Sequence, residues 1–216
     1  MPRIILLFLK LPVPGSVKTR LAAGLSGENP GEQAADIYRR LVDEVLRVIS
    51  VSEWDELRIC FEPPDAEQAV QEWLNLPKSG PVVFQGQFQG DLGERLEFAT
   101  ESAFSQNPGG AKLILLGTDC IEISPDTFSR TWSELDSHDL VFGPTNDGGY
   151  YLAGLNEPAP EIFTGIPWST EHTLSASLET AKTAGRKIAL LETLNDVDTA
   201  EDWDIARTRI DPTGSV

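Results

Sequence analysis

Cysteine is nearly missing from this 216-residue chain. Only Cys60 and Cys120 occur, and they form no Cys-x-x-Cys pattern. That excludes a thiolate zinc motif and a dithiol redox motif, and both residues read as reduced core thiols beside apolar runs. Histidine is equally scarce at two residues, so no Ser-His-Asp arrangement can be argued. Positive charge is short as well: Lys and Arg total 17 against 34 Asp and Glu, for a formal net charge of −17. Such a chain repels polynucleotides and anionic membrane surfaces, so neither is an expected partner. Long apolar runs are lacking. Ile4–Leu9 is too short to span a bilayer or to serve as a usual signal-peptide core. Lys10 and two prolines follow it at once, so it reads as a first buried strand, and the expected location is the cytoplasm.

What is present points to an α/β domain. At 40% hydrophobic the chain can fill a core. Short apolar runs at Ile4–Leu9, Leu57–Phe61, Val82–Phe84, Leu113–Leu116, Leu140–Phe142, Tyr150–Ala153 and Ile188–Leu191 alternate with longer helical patterns. That alternation predicts a mostly parallel sheet. The best helix repeats Ala34, Ile37, Tyr38, Leu41, Val42, Val45, Leu46 and Ile49 at helical spacing. Further helices are expected at Asp65–Leu74, Leu92–Phe104, Pro125–Leu135, Thr170–Ala184 and Ala200–Thr208. With no repeat or linker, a single domain over residues 1–216 is the simplest organisation.

Four segments carry candidate chemistry. The first loop, Lys10 to Leu21, combines Pro14 and Gly15 with Lys18, Thr19 and Arg20. Backbone amides with Lys and Arg can cradle a polyphosphate, although the spacing is not that of a Walker loop. An ordinary Pro-Gly turn with solvated bases is the alternative. Thr118-Asp119 ends the apolar run Leu113–Leu116. A carboxylate there is costly to bury unless it is paired or holds a cation, and a turn aspartate is the competing reading. Asp147-Gly148-Gly149-Tyr150 joins two strands and is either a plain turn or a place where a ligand approaches the backbone, with Asp147 as a base. Asp196 and Asp198 follow the last strand, where both address one cation or one caps the next helix. Two weaker candidates remain. The polar, glycine-rich loop Gln85–Arg95, with Gln89, Gly90 and Gly93, can meet a base or ribose or is simply a loop, and Trp168-Ser169-Thr170 enters a helix and either lines an acceptor pocket or supplies a core or lid tryptophan.

Taken in order, Lys10–Leu21, Gly90–Arg95, Gly117–Cys120, Gly143–Leu152, Trp168–Thr170 and Asp196–Thr199 resemble the DUF2064 proteins, also labelled radical-SAM/selenodomain-associated transferase 1. The resemblance covers nearly the whole chain. It implies a three-layer α/β/α GT-A-like fold of the nucleotide-diphospho-sugar transferase superfamily, with a mixed, mostly parallel sheet. It further implies Mg²⁺ or Mn²⁺ held by Asp119 with Asp196 or Asp198, and Lys18 and Arg20 on the phosphates. The substrates would be a nucleotide or nucleotide sugar and a small acceptor. The first loop also resembles that of the phospholactate guanylyltransferases, so nucleotidylyl transfer stands beside glycosyl transfer, and a non-catalytic nucleotide-binding module is the third reading. One departure is Ile121, where relatives usually have proline after the Asp-Cys pair.

Overall fold

The computed structural model describes residues 1–76 and 80–210. Its strands are β1 (Arg3–Lys10), β2 (Glu56–Glu62), β3 (Val82–Gly86), β4 (Lys112–Leu116), β5 (Leu140–Pro144), β6 (Tyr150–Leu155) and β7 (Ile188–Leu190). The helices are α1 (Thr19–Gly24), α2 (Pro30–Ser50), α3 (Glu67–Trp73), α4 (Leu92–Ser105), α5 (Pro125–Glu134), α6 (Thr173–Thr183) and α7 (Ala200–Ile210). The strands form one sheet in the order β3-β2-β1-β4-β6-β5-β7. Every neighbouring pair is parallel except the two that involve β6.

Side chains that alternate along each strand divide the core in two. Ile5, Leu7 and Leu9 of β1 face one side with Tyr38, Val42 and Val45 of α2, Val70 of α3, and Phe128 and Trp132 of α5. Ile4 and Leu6 face the other side with Leu96, Ala99 and Ala103 of α4 and Ala181 of α6. The result is helix, sheet, helix. It explains why the strands read as unbroken apolar runs, since a strand covered on both faces has no polar side to show. A third cluster lies on the outer face of α2, where Ile37 and Leu41 meet Leu21 of α1, Val197, and Trp203 and Ala206 of α7. Ile121, the departure from the family's proline, is buried in this cluster.

The strands stand where their apolar runs predict them. Two differences have physical reasons. Helix α1 escapes a periodicity search because it is six residues long and buries only Leu21. Helix α6 begins at Thr173 rather than Thr170, because the Thr170 hydroxyl accepts from the His172 N–H at 3.2 Å and the Thr173 hydroxyl accepts from the Thr170 N–H at 3.3 Å. Those side-chain bonds make a turn in place of a first helical turn.

Trp132 tests the packing of the first layer. It is 2% exposed, and its indole N–H donates to the Glu53 carbonyl at 2.9 Å. Trp132→Ala is expected to cost about 3–5 kcal/mol in urea unfolding; a cost below about 1 kcal/mol would show that α5 does not depend on this anchor.

Candidate active site

Parallel strands deliver their carboxyl ends to one edge of the sheet, and the loops that follow β1, β4, β5 and β7 meet there. Strand β6 runs the other way, so its first residues, Tyr150 and Tyr151, lie at the same edge. Tyr38 of α2 fastens two of these ends: its hydroxyl oxygen accepts from the Lys10 N–H at 3.0 Å and from the Thr118 hydroxyl at 3.2 Å. The Val197 N–H donates to the Asp119 carbonyl at 2.9 Å, joining the β4 loop to the last loop.

Lys18 sits at the centre. It has a left-handed backbone at φ 49° and caps α1. Its side chain is only 5% exposed, and its Nζ lies 2.8 Å from Asp119 Oδ1 and 3.2 Å from Asp198 Oδ1. The ammonium also donates to the Val197 carbonyl at 2.7 Å. Burial works to lower its pKa, but the two carboxylates outweigh this and hold it above the ordinary lysine value. Arg20 pairs with the other oxygen of Asp198 at 3.4 Å and is otherwise exposed.

Asp196 behaves differently. Burial, and then the charges of Asp119, Asp147 and Asp198, push its carboxyl up to about 7, against the pull of Lys18. The cap of α7 falls to Thr199, whose hydroxyl accepts from the Asp202 N–H at 3.2 Å, while Asp202 accepts from the Thr199 N–H at 2.8 Å. Asp198 is thereby left to the two basic residues. No three His, Cys, Asp or Glu side chains converge on one cation position among the described residues. The donor chemistry still suits a hard divalent cation, because crowded carboxylate oxygens are what Mg²⁺ or Mn²⁺ takes.

A cavity of about 700 Å³ is lined by Lys10, Lys18, Thr19, Arg20, Gly90, Thr118, Asp119, Asp196 and Asp198. It continues into a second of about 500 Å³, lined by Asp147, Gly149, Tyr150, Trp168, Ser169 and Thr170. Most of the residues expected from sequence therefore meet around one continuous space. Pro14, Gly15, Gln89, Gly93 and Gly148 do not line it. Gly15 instead packs against the start of α2, where a Cβ on Gly31 would lie 3.3 Å from its nitrogen. A Cβ on Gly93 would lie 2.4 Å from the Phe163 carbonyl oxygen, and one on Gly148, at φ +88°, would lie 2.2 Å from the Glu171 carbonyl oxygen. Both glycines are spent on close packing.

Sequence reasoning missed Tyr38 and Glu171, and it named the Gln85–Arg95 loop without singling out Gln87 and Arg95, which line the first cavity. Gln87 donates to the carbonyls of Leu9 and Cys60, and Arg95 donates to the Gly90 carbonyl and to Glu62 at 2.6 Å. The Asp91-x-x-Glu94 spacing was a readable signal for this corner. It forms a capping box on α4, which fixes the loop that Arg95 braces.

The family model for an uncharacterised protein conserved in bacteria, DUF2064, matches residues 45–170. A protein from Desulfovibrio desulfuricans G20, provisionally named a nucleotide-diphospho-sugar transferase, is 31% identical at a TM-score of 0.84, covering 98% of this chain and 89% of that one. Rv0371c from Mycobacterium tuberculosis, solved in complex with manganese, is 15% identical at a TM-score of 0.56, covering 95% of this chain and 97% of that one. A cytidylyltransferase from Leptospira borgpetersenii is 16% identical at a TM-score of 0.62, covering all of this chain and 89% of that one. At those lower identities the likeness is one of fold. No curated protein matches the chain in sequence.

The Lys18 clasp makes a direct prediction. Lys18→Met leaves Asp119 and Asp198 facing Asp196 with no ammonium between them. Because both carboxylates keep contact with water, the expected loss of stability in urea unfolding is about 1–3 kcal/mol, below the value for a fully buried pair. A variant as stable as the parent would show that the clasp does not hold the loops.

Proposed function

Because the chain belongs to the DUF2064 family and has the fold of the nucleotide-diphospho-sugar transferases, we propose that it is a metal-dependent transferase that moves a sugar from a nucleotide sugar to a small acceptor. One observation carries the reading. Lys18 and Arg20, paired with Asp119 and Asp198, line one cavity together with Asp196 at the carboxyl edge of the sheet. An anionic diphosphate and a divalent cation each find their counter-charges there.

In this reading the first cavity takes the nucleotide. Asp119 and Asp196, with Asp198, would hold Mg²⁺ or Mn²⁺, which supplies positive charge to the departing diphosphate. Lys18, fixed by its two carboxylates, adds charge that needs no reorganisation. Arg20 is exposed and free to swing onto a phosphate oxygen. Asp147 serves as base. Its Oδ1 accepts from the Thr145 hydroxyl and the Gly149 N–H, which fixes the carboxylate and leaves Oδ2 for the acceptor. Asp147 takes the proton of the acceptor hydroxyl as that oxygen bonds to the anomeric carbon. The bond from that carbon to the diphosphate oxygen breaks, and its electron pair leaves with the diphosphate.

Nucleotidylyl transfer from an NTP is the second reading, favoured by the concentration of Lys18, Thr19 and Arg20 on one cavity wall. Thermal unfolding with NTPs and nucleotide sugars, each with and without Mn²⁺, separates the two. A ligand at about 100 times its Kd adds about 2.7 kcal/mol. Metal-dependent stabilisation by nucleotide sugars is the expected result. Stabilisation by NTPs alone selects the second reading, and no metal-dependent shift with any nucleotide rejects both.

Asp119→Ala is expected to keep the fold and lose the metal-dependent part of that shift. Normal Mn²⁺-nucleotide binding by this variant would remove Asp119 from the metal site.

A further inference from the structure

The second cavity differs in chemistry from the first. It is lined in part by Trp168 and Tyr150, whose ring centroids lie 6.1 Å apart at 67°. The charged groups that line this cavity are Asp119, Asp147, Glu171, Asp196 and Asp198, with Arg20 as the one base. Lys18 and Arg20 answer Asp119 and Asp198. A divalent cation on Asp119 and Asp196 would add positive charge to that group, while Asp147 and Glu171 have no lysine or arginine partner among these lining groups. The histidine beside Glu171, His172, is 3.7 Å away, with both side chains mostly in water.

We propose that this chamber takes a neutral polyhydroxy ring, a carbohydrate or cyclitol, as the acceptor, and discriminates against phosphate esters. The inference rests on the transferase reading above and names its acceptor class. A sugar ring has an apolar C–H face that packs on indole and phenol rings, and hydroxyls that donate to carboxylates. A phosphate monoester brings two negative charges against Asp147 and Glu171, while Arg20, the one base lining this cavity, is committed to Asp198 and, in the reading above, to the nucleotide's phosphate. An amino sugar is drawn by the same carboxylates, but its ammonium would pair with Asp147, the group that must stay free to take the acceptor's hydroxyl proton.

The test uses full-length protein labelled with 5-fluorotryptophan, the Trp168 signal being assigned through Trp168→Phe. The protein is first saturated with Mg²⁺ and with whichever of UDP, GDP, CDP or ADP stabilises it. Methyl glucoside, myo-inositol, glucose 1-phosphate and glucosamine are then titrated. A neutral probe is expected to move the Trp168 resonance with a Kd at least tenfold below that of glucose 1-phosphate. Glu171→Lys, a change on a side chain 81% exposed, is expected to shrink that ratio tenfold or reverse it, with nucleotide affinity as the control. The proposal is overturned if glucose 1-phosphate binds the parent as tightly as the neutral probes, if glucosamine binds tenfold more tightly than they do, or if no neutral probe moves Trp168 while nucleotide stays bound. In those cases the nucleotide reading stands. If none of the nucleotides stabilises the protein, the transferase reading itself fails, and the acceptor proposal with it.

Discussion

A single buried ammonium holds the carboxyl edge of this sheet together. Lys18 joins three segments: its own loop after β1, the Asp119 loop after β4, and the Val197-Asp198 loop after β7. Burial, and then the charges of three neighbouring carboxylates, raise the pKa of Asp196 to about 7, so the edge carries crowded negative charge that calls for a counter-charge. Lys18 supplies it from a left-handed backbone that side chains other than glycine seldom adopt. A strained residue persists only where its surroundings over-determine it. Here the surroundings are the two carboxylates and a carbonyl at the ammonium end, with Leu21 seated one turn further on in the cluster that α2, α7 and Val197 share.

The architecture was legible because its signals are local. A strand buried on both faces is an apolar run, and α2 repeats its core residues at helical spacing. The site was legible in outline, since lysine, arginine and aspartate at strand ends are visible in any sequence. What stayed hidden is the direction of each side chain. The sequence places Lys18 toward phosphates, yet nothing near it announces a partner 180 positions away. Glycines mislead in the same way. Gly93 and Gly148 sit in motifs that suggest a ligand against the backbone, and the backbone they meet is the protein's own. Glu171 was missed because it lies in no motif. It reaches the cavity only because Gly148 lets the β5–β6 loop settle on its carbonyl, a contact between loops 23 residues apart that no periodicity encodes.

The two cavities divide the labour electrostatically. Bases concentrate on the wall formed by the first loop; Asp119, Asp196 and Asp198 border both cavities, and Asp147 and Glu171 add acid only to the second. A protein with a net charge of −17 would turn polyanions away almost everywhere on its surface. One cationic wall inside an acidic body makes the phosphate position selective by contrast as well as by contact.

The clasp also fixes when the site can exist. Asp196 and Asp198 leave the ribosome after every strand of the sheet, and Lys18 leaves before all but the first. A nascent chain carrying β1 to β7 can already hold its sheet, while its Lys18 has neither Asp198 nor the Val197 carbonyl to grip. Asp119 is already available to Lys18 at that stage, so the grip forms in two parts, and the second closes only when residues 197 and 198 have been made. The last loop of the chain therefore completes the hold on the first.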